Sequence, residues 1–205
     1  MGQAHTAHLR GEFTGAHCSA RAPALSEAES RTVKGFKETG RTRYITDAEF
    51  DQVKAQAHFT VVDAMDLALL TGQRPADVLK LKRTDIRDGA LWIVQNKNGA
   101  RLGIEITGEL AATIARINAR PRKAISVYLI QDENGQPLTQ CALRSRFDKA
   151  RTLAKVDFQF RDIRAKAATD TGDLAHSQKL LAHKNREMTE HYVKARLGER
   201  VKPLR

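Results

Sequence analysis

The run from Val61 to Leu70, VVDAMDLALL, constrains the fold more than any other stretch. Val61, Ala64, Met65, Ala68 and Leu69 recur at helical spacing, and Leu67 and Leu70 carry the apolar surface further round. A helix apolar over so much of its circumference must be enclosed by other elements, so the spacing predicts a central core helix. Gly72 follows it, in the position where glycine ends helices. Pro75 then suits the first position of a new helix, where a missing N–H costs nothing. Arg74 is therefore expected at a helix entrance, in a tight turn between two core helices. Unbonded backbone N–H groups there add to a positive site for an anion. Asp77, three residues on, can orient Arg74. The alternative is a surface arginine beside an ordinary turn.

The other elements carry local signals. Thr46-Asp47-Ala48-Glu49 fits a capping box opening a helix. Leu91 to Val94 and Arg101 to Ile106 are expected as a hairpin, because Leu102, Ile104 and Ile106 alternate and Asn98-Gly99 is a turn signal. Lys97 sits beside that turn, on a tip that could reach into a groove or stay solvated. Thr107 is expected to cap a helix with Leu110, Ile114 and Ile117 inward, closed by Pro121. Val127 to Ile130 is expected as a short strand, and Asp132-Glu133-Asn134-Gly135 as a turn. A helix is expected over 140–154, with Leu143 and Phe147 inward and Arg144 and Arg151 on a basic side, DNA-facing or merely solvated. Further helices are expected from Arg161 through Ala168, from an Asp173 cap through Leu181, and from Asn185 to Ala195. The fold class is thus mainly α with a small antiparallel β-sheet, α+β.

A folded domain is expected over 44–205. Residues 1–43 have weak apolar periodicity and are expected to be a flexible basic arm, with Arg31, Lys34, Lys37, Arg41 and Arg43 approaching the domain. His5, His8 and His17 lack the acidic or paired-cysteine frame of a metal site. The formal net charge of +11 favours a polyanionic partner, nucleic acid first and an anionic membrane surface second. No apolar run approaches the roughly 18 residues of a membrane helix, and MGQAHTAHLRGEF lacks the apolar centre of a signal peptide. Cys18 and Cys141 show no metal-type spacing, so a reducing cytoplasm is the expected location. There is no internal repeat, Walker loop or zinc-binding spacing.

The stretch from Phe158 to Tyr192 gathers the chemistry. Arg161 and Arg164 stand three apart and would share one helix face. His183 lies in a turn-like run, and Tyr192 follows within a helix-compatible segment. Two guanidinium groups, an imidazole and a phenol can hold a phosphate diester and attack it.

In order and spacing, these pieces resemble the catalytic domain of the tyrosine recombinases, the phage-integrase family. TGQRPADVLKLKRTDI resembles the family's first arginine box, which implies that Arg74 is a catalytic arginine and Asp77 the acidic residue behind it. QNKNG resembles the hairpin of the catalytic lysine, Lys97. FRDIRAKAATD resembles the His-x-x-Arg box, with Arg164 as the second arginine and Arg161 in the usual histidine's place. An arginine there stays protonated and is a poor general base. LLAHKNREMTEHYV resembles the Leu-Gly-His box and its nucleophile, giving His183 and Tyr192, with Ala182 replacing the glycine. The resemblance implies the family's catalytic-domain fold, cleavage and rejoining of double-stranded DNA through a 3′-phosphotyrosine link, and no metal or other cofactor. It also implies a tetramer on DNA, with a monomer expected off DNA, in the bacterial cytoplasm. Family members carry a core-binding domain ahead of the catalytic one. Residues 1–43 are too few for it and would be an arm or a truncated remnant. Two competing readings are a prophage integrase remnant that only binds DNA, and a type IB topoisomerase-like enzyme. A basic RNA-associated protein would explain the charge but not the ordered motifs.

Overall fold

The structure, a computed structural model, describes residues 43–121, 124 and 126–197; the side chains of residues 191, 192 and 194–197 fall outside that description. The expected arm, its histidines and Cys18, and the basic residues beyond position 197 also lie outside the described residues. Helix α1 (Asp47–Gln56) opens with the expected capping box: Glu49 N–H donates to Thr46 Oγ1 at 3.3 Å, and Thr46 N–H to Glu49 Oε2 at 3.0 Å. Helix α2 (Phe59–Thr71) buries Val61, Ala64, Met65, Leu67 and Ala68, and Gly72 ends it at a left-handed φ of 64°. It starts two residues ahead of the apolar run, because His58 supplies a cap to Thr60 N–H. Pro75 opens the short α3 (Pro75–Val78), as its fixed φ and missing N–H favour.

The hairpin forms from β2 (Ala90–Val94) and β3 (Arg101–Glu105), with Leu91 opposite Ile104 and Ile93 opposite Leu102. Leu91 and Ile93 face the core, while Trp92 and Val94 stay exposed. A strand that the sequence does not announce, β1 (Ile86–Arg87), pairs antiparallel with β2 and gives the sheet order β1-β2-β3. Two residues are too few to show alternation. Helix α4 (Gly108–Ala119) buries Leu110, Ile114 and Ile117. Thr107 takes its cap position, but its side chain makes no capping bond. Gly108 enters the helix at a left-handed φ of 51°.

Val127 to Ile130 is not a strand. Tyr128 makes a single bridge to Lys82, and Leu129 N–H donates to Leu81 O at 2.8 Å. The segment finds a loop rather than a sheet edge to pair with. The following turn is as expected: Asp132 Oδ1 accepts from Asn134 N–H at 2.9 Å and Gln136 N–H at 2.8 Å. In α5 (Gln140–Leu153), Leu143 and Phe147 point inward, and Phe147 meets Phe158 and Phe160 edge-on. Arg144 is exposed, whereas Arg151 bonds Asp148 and Asp157 at 2.8 and 3.1 Å. A 3-10 turn (Phe160–Asp162) leads into α6 (Ile163–Asp170), then α7 (Leu174–Leu181), capped by Asp173, and α8 (Arg186–Leu197).

Helix α2 is the hub: α1, α4, α5 and α6 all pack on it, and α7 and α8 pack on α6 and on each other. Fully buried Lys166 anchors α6, bonding Asp170 at 2.8 Å, Asp47 at 2.5 Å and the Tyr44 hydroxyl at 3.3 Å. Burial opposes its charge, but the bonds to Asp170 and Asp47 outweigh that and hold its pKa above the ordinary lysine value. No helix among the described residues is long and apolar enough to cross a membrane.

Candidate functional site

The end of α7 explains why distant stretches of sequence meet. A helix leaves its last carbonyls without partners. Here Ala182 turns left-handed at φ 51°, so His183 N–H closes back on Gln178 O at 3.1 Å and Ala182 N–H on Lys179 O at 3.0 Å. The next carbonyls are satisfied from outside the helix. Gln73 Nε2 donates to Leu180 O at 3.1 Å. Leu181 O accepts from Gln95 Nε2 at 3.1 Å and from Arg164 Nη2 at 2.8 Å. Asn98 Nδ2 donates to Ala182 O at 3.4 Å. Thus the turn after α2, the β2–β3 hairpin and α6 all dock on one helix end. Gly72 permits the approach, since a Cβ there would stand 3.1 Å from both Leu180 Cγ and Leu181 Cδ2.

Arg74 occupies the expected entrance to α3, with its side chain 30% exposed. Its Nη1 donates to Gln95 Oε1 at 3.4 Å and lies 3.9 Å from Asp77 Oδ2. Asp77 is buried, and its firmer bond is to the hairpin: Oδ1 accepts from Asn96 N–H at 2.9 Å. The carboxylate that the sequence places behind Arg74 therefore also fixes the loop carrying Lys97. Lys97 itself is exposed at the hairpin tip.

Arg164 is buried, and Nη1 donates to Gly72 O at 2.5 Å. Its Nη2 also lies 3.4 Å from His183 Nε2. An arginine only donates, so Nε2 is the ring's acceptor and the neutral imidazole carries its proton on Nδ1. Nδ1 is 3.0 Å from Oγ1 of buried Thr189 on α8. Burial first, then the charges of Arg164 and Arg74, push the His183 pKa down to about 4. Position 192 follows three residues after Thr189 on this helix, and its side chain lies outside the described residues.

The structure thus brings Arg74, Arg164, His183 and Asp77 together, with Lys97 on a loop tied to them at Gln95, Asn96 and Asn98. Arg161 differs from Arg164 in burial. It is exposed in the 3-10 turn, while Arg164 is buried in α6. Arg161 lies in the first, solvent-exposed turn, which Asp162 closes by accepting from Gln159 N–H at 2.9 Å, whereas Arg164 lies one turn further on, inside the core. Gln73, Gln95 and Thr189 are the residues that sequence reasoning missed. All three lie within the quoted boxes, but nothing in their residue type marks a role. Chemically, the cluster offers guanidinium N–H groups to an oxyanion and, at His183 Nε2, a lone pair able to take up a proton.

A model of the phage integrase family matches residues 46–198. Prophage integrase IntE of Escherichia coli K12 is 32% identical over 155 residues, covering 66% of this chain and 41% of that protein. The integrase of Escherichia phage HK022 is 34% identical over 146 residues, covering 65% and 41%. The chain thus spans about two fifths of the length of these relatives. Among solved structures, a lambda integrase(75–356) dimer bound to a COC′ core site matches with a TM-score of 0.69 at 24% identity, over 81% of this chain and 64% of that one. The lambda integrase catalytic core matches with a TM-score of 0.61 at 24% identity, over 70% and 92%. The described domain therefore has the tyrosine recombinase catalytic-domain fold. The family pattern runs from the cap of α1 to the end of α8 and takes in every box that meets at the end of α7, and the chain belongs to the phage integrase family.

Proposed function

We propose that this chain cuts and rejoins double-stranded DNA at a defined site through a 3′-phosphotyrosine intermediate. The observation that carries this reading is the convergence of Arg74, Arg164 and His183 at the end of α7. A phosphodiester repels nucleophiles with its own charge, and attack piles more charge on its non-bridging oxygens. Two guanidinium groups can bind those oxygens with forked N–H donors, and stabilising that developing charge is the main contribution. Tyr192 Oη attacks phosphorus, and the bond to O5′ breaks. Lys97 gives the leaving oxygen its proton. The neutral ring of His183 takes the phenol proton at Nε2 and then donates a hydrogen bond to a phosphate oxygen. A bound phosphodiester offsets the two arginine charges and so favours that protonated ring. Arg161 acts from the rim as a further phosphate contact. The covalent link conserves the bond energy, so resealing needs no nucleotide.

Family membership supports this reading, as does the likeness to a domain titled a catalytic core. The similar lambda structures are a dimer on a core site and a tetramer on a Holliday junction, which favours homo-oligomers assembled on DNA here too. The bacterial cytoplasm is the setting this implies. To test it, bound duplexes are selected from a random pool, and the selected site is nicked near the scissile bond so that cleavage cannot be reversed. Wild type should form a denaturation-resistant protein–DNA adduct, and Tyr192→Phe none. No adduct from wild type, or equal yields from both, contradicts the proposal.

A further inference from the structure

We propose that Gln95 is the positioning residue for Arg74, so that both phosphate-binding guanidinium groups hang from one backbone carbonyl, that of Leu181. Arg164 reaches this carbonyl directly, and Arg74 reaches it through the Gln95 amide. The assignment rests on the function proposed above.

The orientation of the amide follows from its partners. Gln95 is 1% exposed, as is Gln73. Gln73 Nε2 donates to two carbonyls, Thr71 O at 2.8 Å and Leu180 O at 3.1 Å. Its Oε1 must therefore face Gln95, whose Nε2 donates to it at 2.8 Å. The second N–H of Gln95 Nε2 goes to Leu181 O. Turning the Gln95 amide over would set its oxygen against two other oxygens. Both N–H groups are thus taken, and Oε1 has one direction left, towards Arg74 Nη1. At 3.4 Å this bond is long, so it aims the guanidinium without holding it tightly. The amide is also neutral. A carboxylate at the same point would cancel the charge that the phosphate needs. Gln95 lies two residues before Lys97, so the hairpin that carries the proposed acid also carries the aim of the first arginine.

The test compares wild type with Gln95→Met, which keeps volume but not polarity, and Gln95→Asn, which withdraws the amide by one methylene. Single-turnover cleavage of the nicked duplex gives a rate constant that does not depend on the folded fraction. Gln95→Met should slow cleavage about 10- to 100-fold, as misplacing one charged donor does, while non-covalent duplex affinity changes less than about threefold. Gln95→Asn should shift the rate the same way by less, and it carries the test if the Met variant does not fold. A second readout needs no cleavage. The His183 imidazole, titrated by NMR in the DNA-free protein, should move in the same direction in Gln95→Met as in Arg74→Met, because both take the Arg74 charge from beside the ring. Cleavage at the wild-type rate, or a His183 titration that moves in Arg74→Met but not in Gln95→Met, overturns the role of Gln95. If wild type forms no adduct, the proposed function fails, and the titration still decides whether Gln95 aims Arg74.

Discussion

Two arginine clusters in this domain use the same side chain to opposite ends. Between α2 and α4, Arg116 Nη2 meets Asp63 at 3.2 Å and Asp66 at 2.7 Å, Arg120 meets Asp63 at 2.7 Å, and Lys54 meets Asp66 at 2.7 Å. Both carboxylates are buried, and every cation named there faces one. At the end of α7, Arg164 is held by the carbonyls of Gly72 and Leu181, and Arg74 by the Gln95 amide, with Asp77 3.9 Å away. Carboxylates neutralise a guanidinium, whereas carbonyls and amides orient it and leave its charge in place. A helix C-terminus is also the end that attracts cations. The first cluster is suited to joining helices and the second to receiving an anion.

The comparison breaks most directly by removing one arginine from each cluster. Arg164→Ala should lower single-turnover cleavage about 100- to 1000-fold, the scale of losing an oxyanion donor. Arg116→Ala should instead cost about 1–3 kcal/mol of stability by stripping buried carboxylates of a partner, with the cleavage rate constant of the folded protein unchanged. Equal effects of the two on cleavage would erase the distinction. Arg161→Ala tests the rim contact. A loss of about tenfold in the cleavage rate is expected, on the scale of one exposed charge-assisted bond, and wild-type cleavage would remove Arg161 from the mechanism.

Acid sharpens the contrast through His183. Its folded pKa, about 4, lies below the ordinary 6.5, so the unfolded chain takes up this proton first as pH falls. The stability it contributes is fully present above pH 6.5 and is lost as pH falls towards 4. Denaturant midpoints measured across that window should fall less steeply in His183→Gln than in wild type. The smallest effect is at Ala182, which holds a left-handed φ of 51°. Ala182→Gly should raise stability by up to about 1 kcal/mol in a thermal melt, without changing cleavage, because the carbonyls are already correctly turned.

Much of this was legible because its causes are local. The apolar run of α2, the left-handed stop at Gly72, the Pro75 start and the Thr46–Glu49 box each act within a few residues. Asn98-Gly99 set the hairpin, with Gly99 at φ 64°. Arg74, Arg164 and His183 were legible through the resemblance of the ordered boxes to the phage integrase family rather than through a local cause. What escaped depends on distant partners. Gln95 is an unremarkable polar residue until Leu181, 86 positions away, accepts its N–H. Lys166 would pass for a solvated lysine, yet Asp47, 119 positions away, helps hold it fully buried. Val127 to Ile130 has strand composition but meets a loop, and spacing alone cannot show that Arg161 stays exposed while Arg164, one turn on, is buried.

The most direct test is to digest the trapped protein–DNA adduct and locate the nucleotide by mass spectrometry. The expected result is a 3′-phosphoryl link to Tyr192, formed by wild type and Arg116→Ala alike and abolished in Arg164→Ala. DNA attached at another residue, or an adduct that survives loss of Arg164, would contradict it.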